Sequence, residues 1–351
     1  MTPKTFLGLV AVTFATSVGA IITVVNQPTT APVAYVDEPA FPTLRAEPDA
    51  VAKITIQTMG GSVTLTRSSP ETWIAPDRYE YPAAAEKISK LVRQLNDMRL
   101  IEPKTSNADR YARLEVEDLV DESKSRLIRL EDGQGNVLAE ALIGKRLLKL
   151  TGTQSSGTYI RRPGESQSWL ASGSFDLEPE IEIWLDQLIV EIDRDQIARI
   201  EVTPIEGDGY VVLRESNEAE PVIEGLAEGE TLKADSNLAQ LTSVLTSVTL
   251  ADVQPKGEVA WPDARHQVKV RTFGGLDLTI ELVLVDDKPW ATFSAAIAAL
   301  PEDPALADAL NQEAEAINNR ANAWVYHINQ SLFQRLTKPR SSWLEASDGT
   351  S

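Results

Sequence analysis

Hydrophobic and polar positions divide this chain into one long apolar run and, after it, two series of short alternating stretches. The run covers residues 6–25 and contains no charged side chain. At about 1.5 Å per helical residue it reaches roughly 30 Å, the thickness of the hydrocarbon core of a bilayer. The hydroxyl side chains within it can bond back to their own helix and therefore do not prevent spanning. The pattern predicts an N-terminal transmembrane helix.

The charges on either side of this run predict its orientation. The amino terminus and Lys4 precede it, and Asp37 and Glu38 are the first charges that follow it. Because positive flanks stay in the cytoplasm, we expect the rest of the chain on the other side, which in a bacterium is the periplasm. Val18-Gly19-Ala20 resembles the site of a signal peptidase, which leaves a cleaved signal peptide as the alternative. An uncleaved anchor is favoured because the apolar run continues through Val25.

The first series of alternating stretches follows a proline-rich segment. Residues 26–50 contain five prolines and predict an extended linker, with folded structure beginning near Ala52. Residues 83–100 carry apolar side chains at helical spacing and predict an amphipathic helix, and residues 180–192 predict a helix that closes the unit. The predicted strands are residues 53–57, 63–66, 73–74, 127–130, 137–143, 158–161 and 168–171.

The pattern starts again near residue 198, which predicts an internal duplication. Residues 237–248 predict a helix that corresponds to residues 83–100, and Trp343-Leu344-Glu345 corresponds to Trp184-Leu185-Asp186. An alanine-rich helical insertion at residues 301–322 belongs to the second unit alone. The predicted strands of this unit are residues 198–202, 210–213, 267–272, 276–285 and 290–293.

We therefore predict an α+β fold. It consists of two tandem repeated units of mainly antiparallel sheet, with one amphipathic helix each, after the N-terminal transmembrane helix. Residues 1–36 would hold a cytoplasmic stub, the anchor and the start of the linker. Residues 37–196 would form the first unit, and residues 197–351 the second unit with its insertion.

Composition narrows the possible functions. The chain has 33 basic and 52 acidic residues, a formal net charge of −19, which disfavours nucleic acid and anionic lipid surfaces as partners. It has no cysteine, which removes disulfides, thiolate catalysis and cysteine-ligated metal sites. With only two histidines, a histidine-rich metal site is excluded as well. A hydrophobic content of 42% is sufficient for a packed core.

The motifs that could indicate catalysis or ligand binding are better explained by ordinary structural roles. Gly133-Gln134-Gly135 lacks the third glycine of a dinucleotide loop and predicts a hairpin turn. The acidic groups around Asp193 and at Asp286-Asp287 lack the spacing of a calcium loop. Neither His266 nor His327 accompanies a nucleophile motif. The tryptophans are predicted to be core anchors rather than a ligand platform. We predict no catalytic, cofactor-binding or metal-binding residue.

Several short motifs together resemble the family catalogued as domain of unknown function 4340. The resemblance covers most of residues 50–200 and extends more loosely to about residue 340. It rests on a strand pair with a following Trp, then Tyr81-Pro82 before the amphipathic helix, Leu142-Ile143-Gly144-Lys145, Thr158-Tyr159-Ile160-Arg161-Arg162 and Trp184-Leu185-Asp186. The resemblance implies a membrane-anchored periplasmic protein, often associated with ABC-type transport systems whose auxiliary subunits resemble those of gliding motility. It carries over no catalytic residue.

Three functions follow as hypotheses. The preferred one is a non-enzymatic accessory protein in the bacterial inner membrane, with protein partners such as ABC transporter subunits and the bilayer held through residues 6–25. The alternative is a periplasmic module that binds a small ligand or a glycan in a cleft between the two units. A hydrolytic enzyme that uses paired carboxylates ranks last, because no particular pair is favoured.

Overall fold

The computed structural model describes residues 36–148, 156–175 and 177–345. The six α-helices of these residues are α1 Pro42–Ala46, α2 Ala85–Asn96, α3 Tyr111–Leu114, α4 Ala239–Ser243, α5 Pro304–Ala321 and α6 Gln330–Leu336. The first ten strands are β1 Glu38–Pro39, β2 Val51–Thr58, β3 Gly61–Arg67, β4 Trp73–Ala75, β5 Tyr81–Pro82, β6 Arg99–Pro103, β7 Arg126–Asp132, β8 Val137–Leu147, β9 Gly157–Arg161 and β10 Ser168–Ser172. The next ten are β11 Leu188–Val190, β12 Ile197–Thr203, β13 Tyr210–Leu213, β14 Val222–Ile223, β15 Val248–Thr249, β16 Asp252–Pro255, β17 His266–Thr272, β18 Leu276–Val285, β19 Lys288–Ile297 and β20 Trp324–His327.

These strands form two large sheets and one small one. The ten-stranded sheet has the order β1-β6-β10-β9-β8-β7-β2-β3-β4-β5. The eight-stranded sheet, read from its β16 edge, has the order β16-β20-β19-β18-β17-β12-β13-β14, and β11 pairs with β15 in a sheet of their own. The pairs at the centres of both large sheets are antiparallel. The fold is therefore mixed α+β with mainly antiparallel sheets, as the sequence predicts.

The two large sheets connect their strands in the same way. Eight consecutive positions of the ten-stranded sheet, from β6 through β10 to β4, match the eight positions of the other sheet in order along the chain. In both halves a helix follows the third of these strands along the chain, α2 in the first and α4 in the second. The two halves of the chain therefore pair their strands into hairpins in the same order.

The predicted hairpins are confirmed. In the first, Ile54 and Ile56 of β2 lie opposite Leu65 and Val63 of β3, and all four side chains are buried. Alternation places these side chains on one face of the sheet because successive residues of a strand point to opposite sides. The strands predicted at residues 127–130 and 137–143 are β7 and β8, which pair in the same antiparallel manner.

Two helices match their predictions well. Helix α2 buries Ile88, Leu91 and Leu95 on one face, but it is shorter than residues 83–100 because its neighbours on both sides enter the sheet as β5 and β6. Helix α5 fills the predicted insertion at residues 301–322. Its first turn is capped by the side chain of Asp303, which accepts a hydrogen bond from the main-chain N–H of Ala305 at 2.8 Å.

The predicted helix at residues 180–192 is wrong. Residues Ile181–Trp184 form a short 3-10 helix, and the apolar run that follows is strand β11. Strand β11 pairs with β15 from the second half of the chain, and this distant partner decides its structure. For the same reason the helix predicted at residues 237–248 shrinks to α4, since its last residue, Val248, belongs to β15.

The extended linker predicted at residues 26–50 is wrong for residues 36–50. Strand β1 pairs with β6 at the edge of the ten-stranded sheet. Helix α1 follows it, and Ala40, Phe41 and Leu44 are buried in the core. This short segment has few apolar side chains, but these three pack against the sheet and are buried there.

The predicted anchor at residues 6–25 and the alternative cleavage site lie outside the described residues. Among the residues that are described, no helix is long and apolar enough to cross a membrane.

Candidate functional site at the junction of the two halves

Two of the family-like motifs meet each other in space. Tyr81-Pro82 forms β5, and the residue after it, Ala83, makes an isolated antiparallel bridge with Leu185 of the Trp184-Leu185-Asp186 motif. The N–H of Ala84 donates to the carbonyl oxygen of Trp184 at 2.8 Å. We name this contact the Tyr81 joint: it consists of residues 81–84 and residues 184–186.

Further hydrogen bonds close the Tyr81 joint. The N–H of Asp186 donates to the carbonyl oxygen of Pro82 at 2.9 Å. The hydroxyl of Tyr81 donates to the carbonyl oxygen of Asp186 at 3.2 Å. Within the motif, the indole N–H of Trp184 donates to the carbonyl oxygen of Glu178 at 2.9 Å, and the ring is 1% exposed. The joint therefore satisfies its polar groups internally, as buried polar groups require.

The turn that leads into the joint has an uncommon backbone. Tyr79 and Glu80 have φ angles of 56° and 61°, so two consecutive residues with side chains adopt the left-handed region. That region is unfavourable for residues other than glycine and persists where the surroundings impose it. Here the turn is held between a 3-10 helix, Pro76–Arg78, and strand β5. The strained turn aims the ring of Tyr81 into the core.

The ring of Tyr81 joins the first half of the chain to the second. It packs edge-on against Trp324 with 5.0 Å between ring centroids, and against Tyr326 with 6.4 Å. Both partners lie on β20 of the eight-stranded sheet. Burial raises the pKa of the Tyr81 hydroxyl to about 12, and burial likewise raises the pKa of Tyr326. Both phenols are therefore neutral hydrogen-bond donors at physiological pH.

An arginine at the edge of the joint binds acidic groups from both halves. Arg78 contacts a carboxylate oxygen of Glu182 at 2.5 Å and one of Asp252, on β16, at 3.3 Å. Burial by itself would lower the pKa of Arg78, but the hydrogen bond to Glu182 and the charge of Asp252 raise it above its ordinary value. The arginine thus stays charged and holds the two carboxylates on either side of the junction.

The backbone also crosses the junction. Beside the pairing of β11 with β15, the N–H of Ile192 donates to the carbonyl oxygen of Leu245 at 2.9 Å, and the N–H of Leu250 donates to that of Gln187 at 3.0 Å. Buried residues from both large sheets form one continuous hydrophobic core. Surface cavities of about 270 to 440 Å³ occur on the described residues, but no residue of the Tyr81 joint lines any of these. Around Tyr81 the junction is closed.

The two other motifs form a second contact on the ten-stranded sheet. Leu142-Ile143-Gly144-Lys145 lies on β8, and its partner strand β9 carries Arg161, which pairs with Leu142. Gly144 allows the main chain of residues 114–116 to approach β8 closely. A Cβ atom at Gly144 would lie 2.1 Å from the carbonyl oxygen of Leu114, far closer than two such atoms can come.

Arg161 fixes the same covering segment from the neighbouring strand. Its side chain is 4% exposed and its guanidinium donates to the carbonyl oxygens of Val116 at 2.8 Å and Glu165 at 3.0 Å. It also contacts a carboxylate oxygen of Asp118 at 2.5 Å, and it lies over the ring of Tyr111 at 4.5 Å. The planar, multiply donating guanidinium suits this arrangement better than an ammonium would.

The two histidines lie apart from each other, and His327 is the one near the junction, opposite Asp252 in the pairing of β16 with β20. His266 on β17 and His327 on β20 are separated by three strand spacings, roughly 14 Å. The Nδ1 atom of His266 accepts a hydrogen bond from the N–H of Ile205 at 3.2 Å, and the ring of His327 lies 5.5 Å from that of Trp290. Burial lowers the pKa of both, and the charge of Lys288 lowers that of His327 further.

The other candidate groups have the structures expected of turns. Asp132 accepts hydrogen bonds from the main-chain N–H groups of Gln134 and Asn136, so the glycine-rich segment is a hairpin turn. Asp286 and Asp287 adopt positive φ angles in the tight turn between β18 and β19. Among the described residues, no group of three or more His, Cys, Asp and Glu side chains could hold a metal ion. Four of the tryptophans are buried as core anchors, namely Trp73, Trp184, Trp290 and Trp343.

Three residues at the junction, Arg78, Asp252 and Trp324, could not be placed there from the sequence. Arg78 lies in a polar turn, and only the fold brings Asp252 to it. Trp324 contacts Tyr81 although the two residues lie far apart in the chain. The available signal was indirect: Tyr81 and Asp186 both belong to the family-like motifs.

Together, the two large sheets, which share the order of eight strands, and the Tyr81 joint, which packs against β20, define a mixed α+β protein. Its motif residues hold segments of its own chain together. The chain belongs to the family described as Domain of unknown function (DUF4340), whose model matches residues 73–261, more than half of its length. The match includes both motif contacts and continues into the second half. No curated protein and no solved structure matches the chain.

Proposed function

We propose that this protein is a non-enzymatic accessory subunit, anchored in the bacterial inner membrane, whose periplasmic body docks on an ABC-type transport or envelope complex. The anchor would be residues 6–25. The body would consist of two tandem copies of one α+β unit, residues 37–196 and 197–351, with residues 301–322 inserted in the second. The identical strand order of the two large sheets supports this duplication.

The observation that carries the accessory role is the use of the family-like motifs. Tyr81, Gly144, Arg161 and Trp184 contact segments of their own chain, and their polar groups are bonded there. Residues that act on a substrate would instead direct polar groups into a cavity. Residues 143–145 border a surface cavity of about 270 Å³, but the ammonium of Lys145 donates to the carbonyl oxygen of Arg113 at 3.0 Å. This pattern favours a rigid body that presents its surface to other proteins.

The packed junction weighs against the alternative of a ligand cleft between the two halves. A cleft of that kind needs aromatic side chains that are accessible to the ligand. Here Tyr81 packs against Trp324 and Tyr326, and Tyr81 and Tyr326 are 3% and 0% exposed. The two halves would have to separate before a ligand could enter.

The experiment that tests the proposal is affinity purification of the tagged full-length protein from membranes after mild cross-linking, with mass spectrometry of the recovered proteins. We expect transporter or envelope subunits that are lost when residues 37–351 are deleted. Recovery of the tagged protein alone, or of the same proteins with the anchor segment only, would contradict an accessory role of the body. Protease accessibility of the body in spheroplasts, but not in inside-out vesicles, checks the periplasmic location.

A further inference from the structure

One end of the eight-stranded sheet exposes apolar side chains instead of covering them. The turn after β17 carries Phe273, which is 44% exposed, and the segment after β19 carries Leu300, which is 60% exposed. Ala298 and Ala299 beside Leu300 are exposed too. Leu306, on the first turns of α5, is 59% exposed. We name these five residues the apolar tip.

Hydrogen bonds hold the two main parts of the apolar tip together. The N–H of Ala298 donates to the carbonyl oxygen of Gly275 at 2.9 Å, two residues from Phe273. Gly275 permits this approach, because a Cβ atom there would lie 2.4 Å from the carbonyl oxygen of Ala299. The N–H of Phe273 in turn donates to the carbonyl oxygen of Gln196 at 2.7 Å. The exposed side chains therefore project from a fixed backbone.

Acidic residues lie beside the apolar tip. Phe273 lines a surface cavity of about 440 Å³ together with Asp195 and Glu215, and Glu302 follows Leu300 closely in the chain.

The charge of this rim is neutralised only in part within the protein, where Asp195 contacts Arg194 at 3.3 Å and Arg214 at 3.9 Å. Among the described residues, Glu215 and Glu302 form no ion pair, and the nearby Arg271 is held by both carboxylate oxygens of Asp277 at 2.7 Å. Exposed apolar groups inside a polar rim are the usual composition of a protein-binding surface. The sign of the rim selects partners of positive charge.

We infer that the apolar tip binds a basic amphipathic segment of a partner protein, with apolar side chains against Phe273 and Leu300 and lysine or arginine side chains against the acidic rim. The inference rests on the proposed accessory function and adds to it the surface and the charge of the partner. A lipid surface fits less well, since anionic headgroups would be repelled by the rim.

Site-specific photo-cross-linking in cells that produce the full chain tests this inference. A photoreactive phenylalanine analogue replaces Phe273 in one variant and Leu300 in a second, so that failure of one variant to fold leaves the other. Leu284 provides the matched control, because it is 49% exposed and lies at the opposite end of β18, beside Asp286 and Asp287. Eight residues of strand place it about 26 Å from Leu276.

We expect the analogue at positions 273 and 300 to cross-link the same protein, with at least a fivefold lower yield at position 284. The cross-linked peptide, identified by mass spectrometry, should contain lysine or arginine among apolar residues. The combined variant Glu215→Lys and Glu302→Lys should lower the yield at position 300 at least fivefold, while Asp286→Lys with Asp287→Lys should not.

Equal yields at positions 284 and 300, or a yield that does not respond to reversal of the rim charges, would overturn the inference. Cross-links to lipid, to another part of this chain or to a second copy of it would also overturn it. If transporter subunits still co-purify with the charge-reversed protein, the inference fails and the accessory function stands. If no subunit co-purifies with the unaltered protein, the accessory function itself fails.

Discussion

The hydroxyl of Tyr81 donates a hydrogen bond to the main-chain carbonyl oxygen of Asp186, 3.2 Å away. The same ring packs against Trp324 of the second sheet, with 5.0 Å between the two ring centroids. One side chain on β5 thus contacts both the segment that ends the first half of the chain and the second half. If this contact holds the two halves together, its loss should lower the free energy of unfolding of the whole body.

The first prediction concerns the ring and the hydroxyl of Tyr81 separately. Tyr81→Phe removes one hydrogen bond and should lower the free energy of unfolding by about 0.5–1.5 kcal/mol. Tyr81→Ala also removes a buried ring from between the halves and should cost about 3–5 kcal/mol. Urea unfolding followed by tryptophan fluorescence measures both. Equal effects of the two variants would show that the ring contributes nothing at the junction.

The second prediction concerns the close approach at Gly144. Gly144→Ala places a Cβ atom 2.1 Å from a main-chain oxygen, so β8 and residues 114–116 must move apart. We expect a loss of unfolding free energy of about 1–3 kcal/mol or more. Gly133→Ala is the control, since a Cβ atom there meets only Ala52 at 4.0 Å and should change stability by less than about 0.5 kcal/mol. Thermal unfolding of the two variants side by side decides the matter, and similar melting temperatures would refute the steric argument.

The third prediction concerns the guanidinium of Arg161. Arg161→Leu keeps an apolar stem but leaves the buried carbonyl oxygen of Val116 without its donor, at about 1–3 kcal/mol. Glu165 is exposed, so its carbonyl oxygen can bond to water instead. Asp118→Asn is the control. Its side chain is 72% exposed and can return to water, so we expect a change below about 1 kcal/mol. Chemical unfolding measures both, and a larger effect of the Asp118 variant would contradict the assignment of the main-chain contacts as the stabilising ones.

The fourth prediction concerns pH. Two hydrogen bonds from Arg340, at 2.7 and 2.5 Å, and one from the N–H of Ala227 lower the pKa of Glu230 from its ordinary value of 4.5 to about 2. Because the folded protein holds the lower pKa, the interaction stabilises it fully above pH 4.5 and is lost as the pH falls toward 2.

The difference in unfolding free energy between the unaltered protein and Glu230→Gln should therefore be largest near pH 6 and shrink steadily between pH 4.5 and pH 2. Taking the difference removes the contributions of the other carboxylates. Glu228→Gln, at an exposed carboxylate two residues away, should show a small difference throughout this range. A Glu230→Gln difference that stays constant with pH would contradict the assigned hydrogen bonds.

Local patterns were sufficient to predict the central strands of both large sheets and their hairpins. Alternation at Ile54 and Ile56 placed β2 and its partner correctly, and helical spacing at Ile88, Leu91 and Leu95 found α2. Such patterns reflect which face of an element is buried, and they are complete within a few residues of chain. The alanine-rich α5 was found for the same reason.

Contacts between distant segments could not be read in this way. Residues 180–192 have apolar side chains at a spacing that also fits a helix, and only pairing with Val248 makes Leu188–Val190 a strand. In the same way, two apolar residues such as Phe41 and Leu44 do not form a pattern that predicts a folded segment. The neighbouring sheet buries them. The motif residues were visible in the sequence, but the joint they form became visible only in the structure.

The proposed accessory function depends most directly on a closed junction between the two halves, so that partners bind on the surface of the body. Hydrogen–deuterium exchange of the full-length protein tests this at the amides of Ile192 and Leu250, which bond across the junction. We predict that peptides with these amides exchange as slowly as peptides from β7 and β17 in the sheet centres, through global unfolding alone. Exchange orders of magnitude faster at Ile192 and Leu250 would show that the halves open in the native state. That result would contradict the account and favour a ligand cleft.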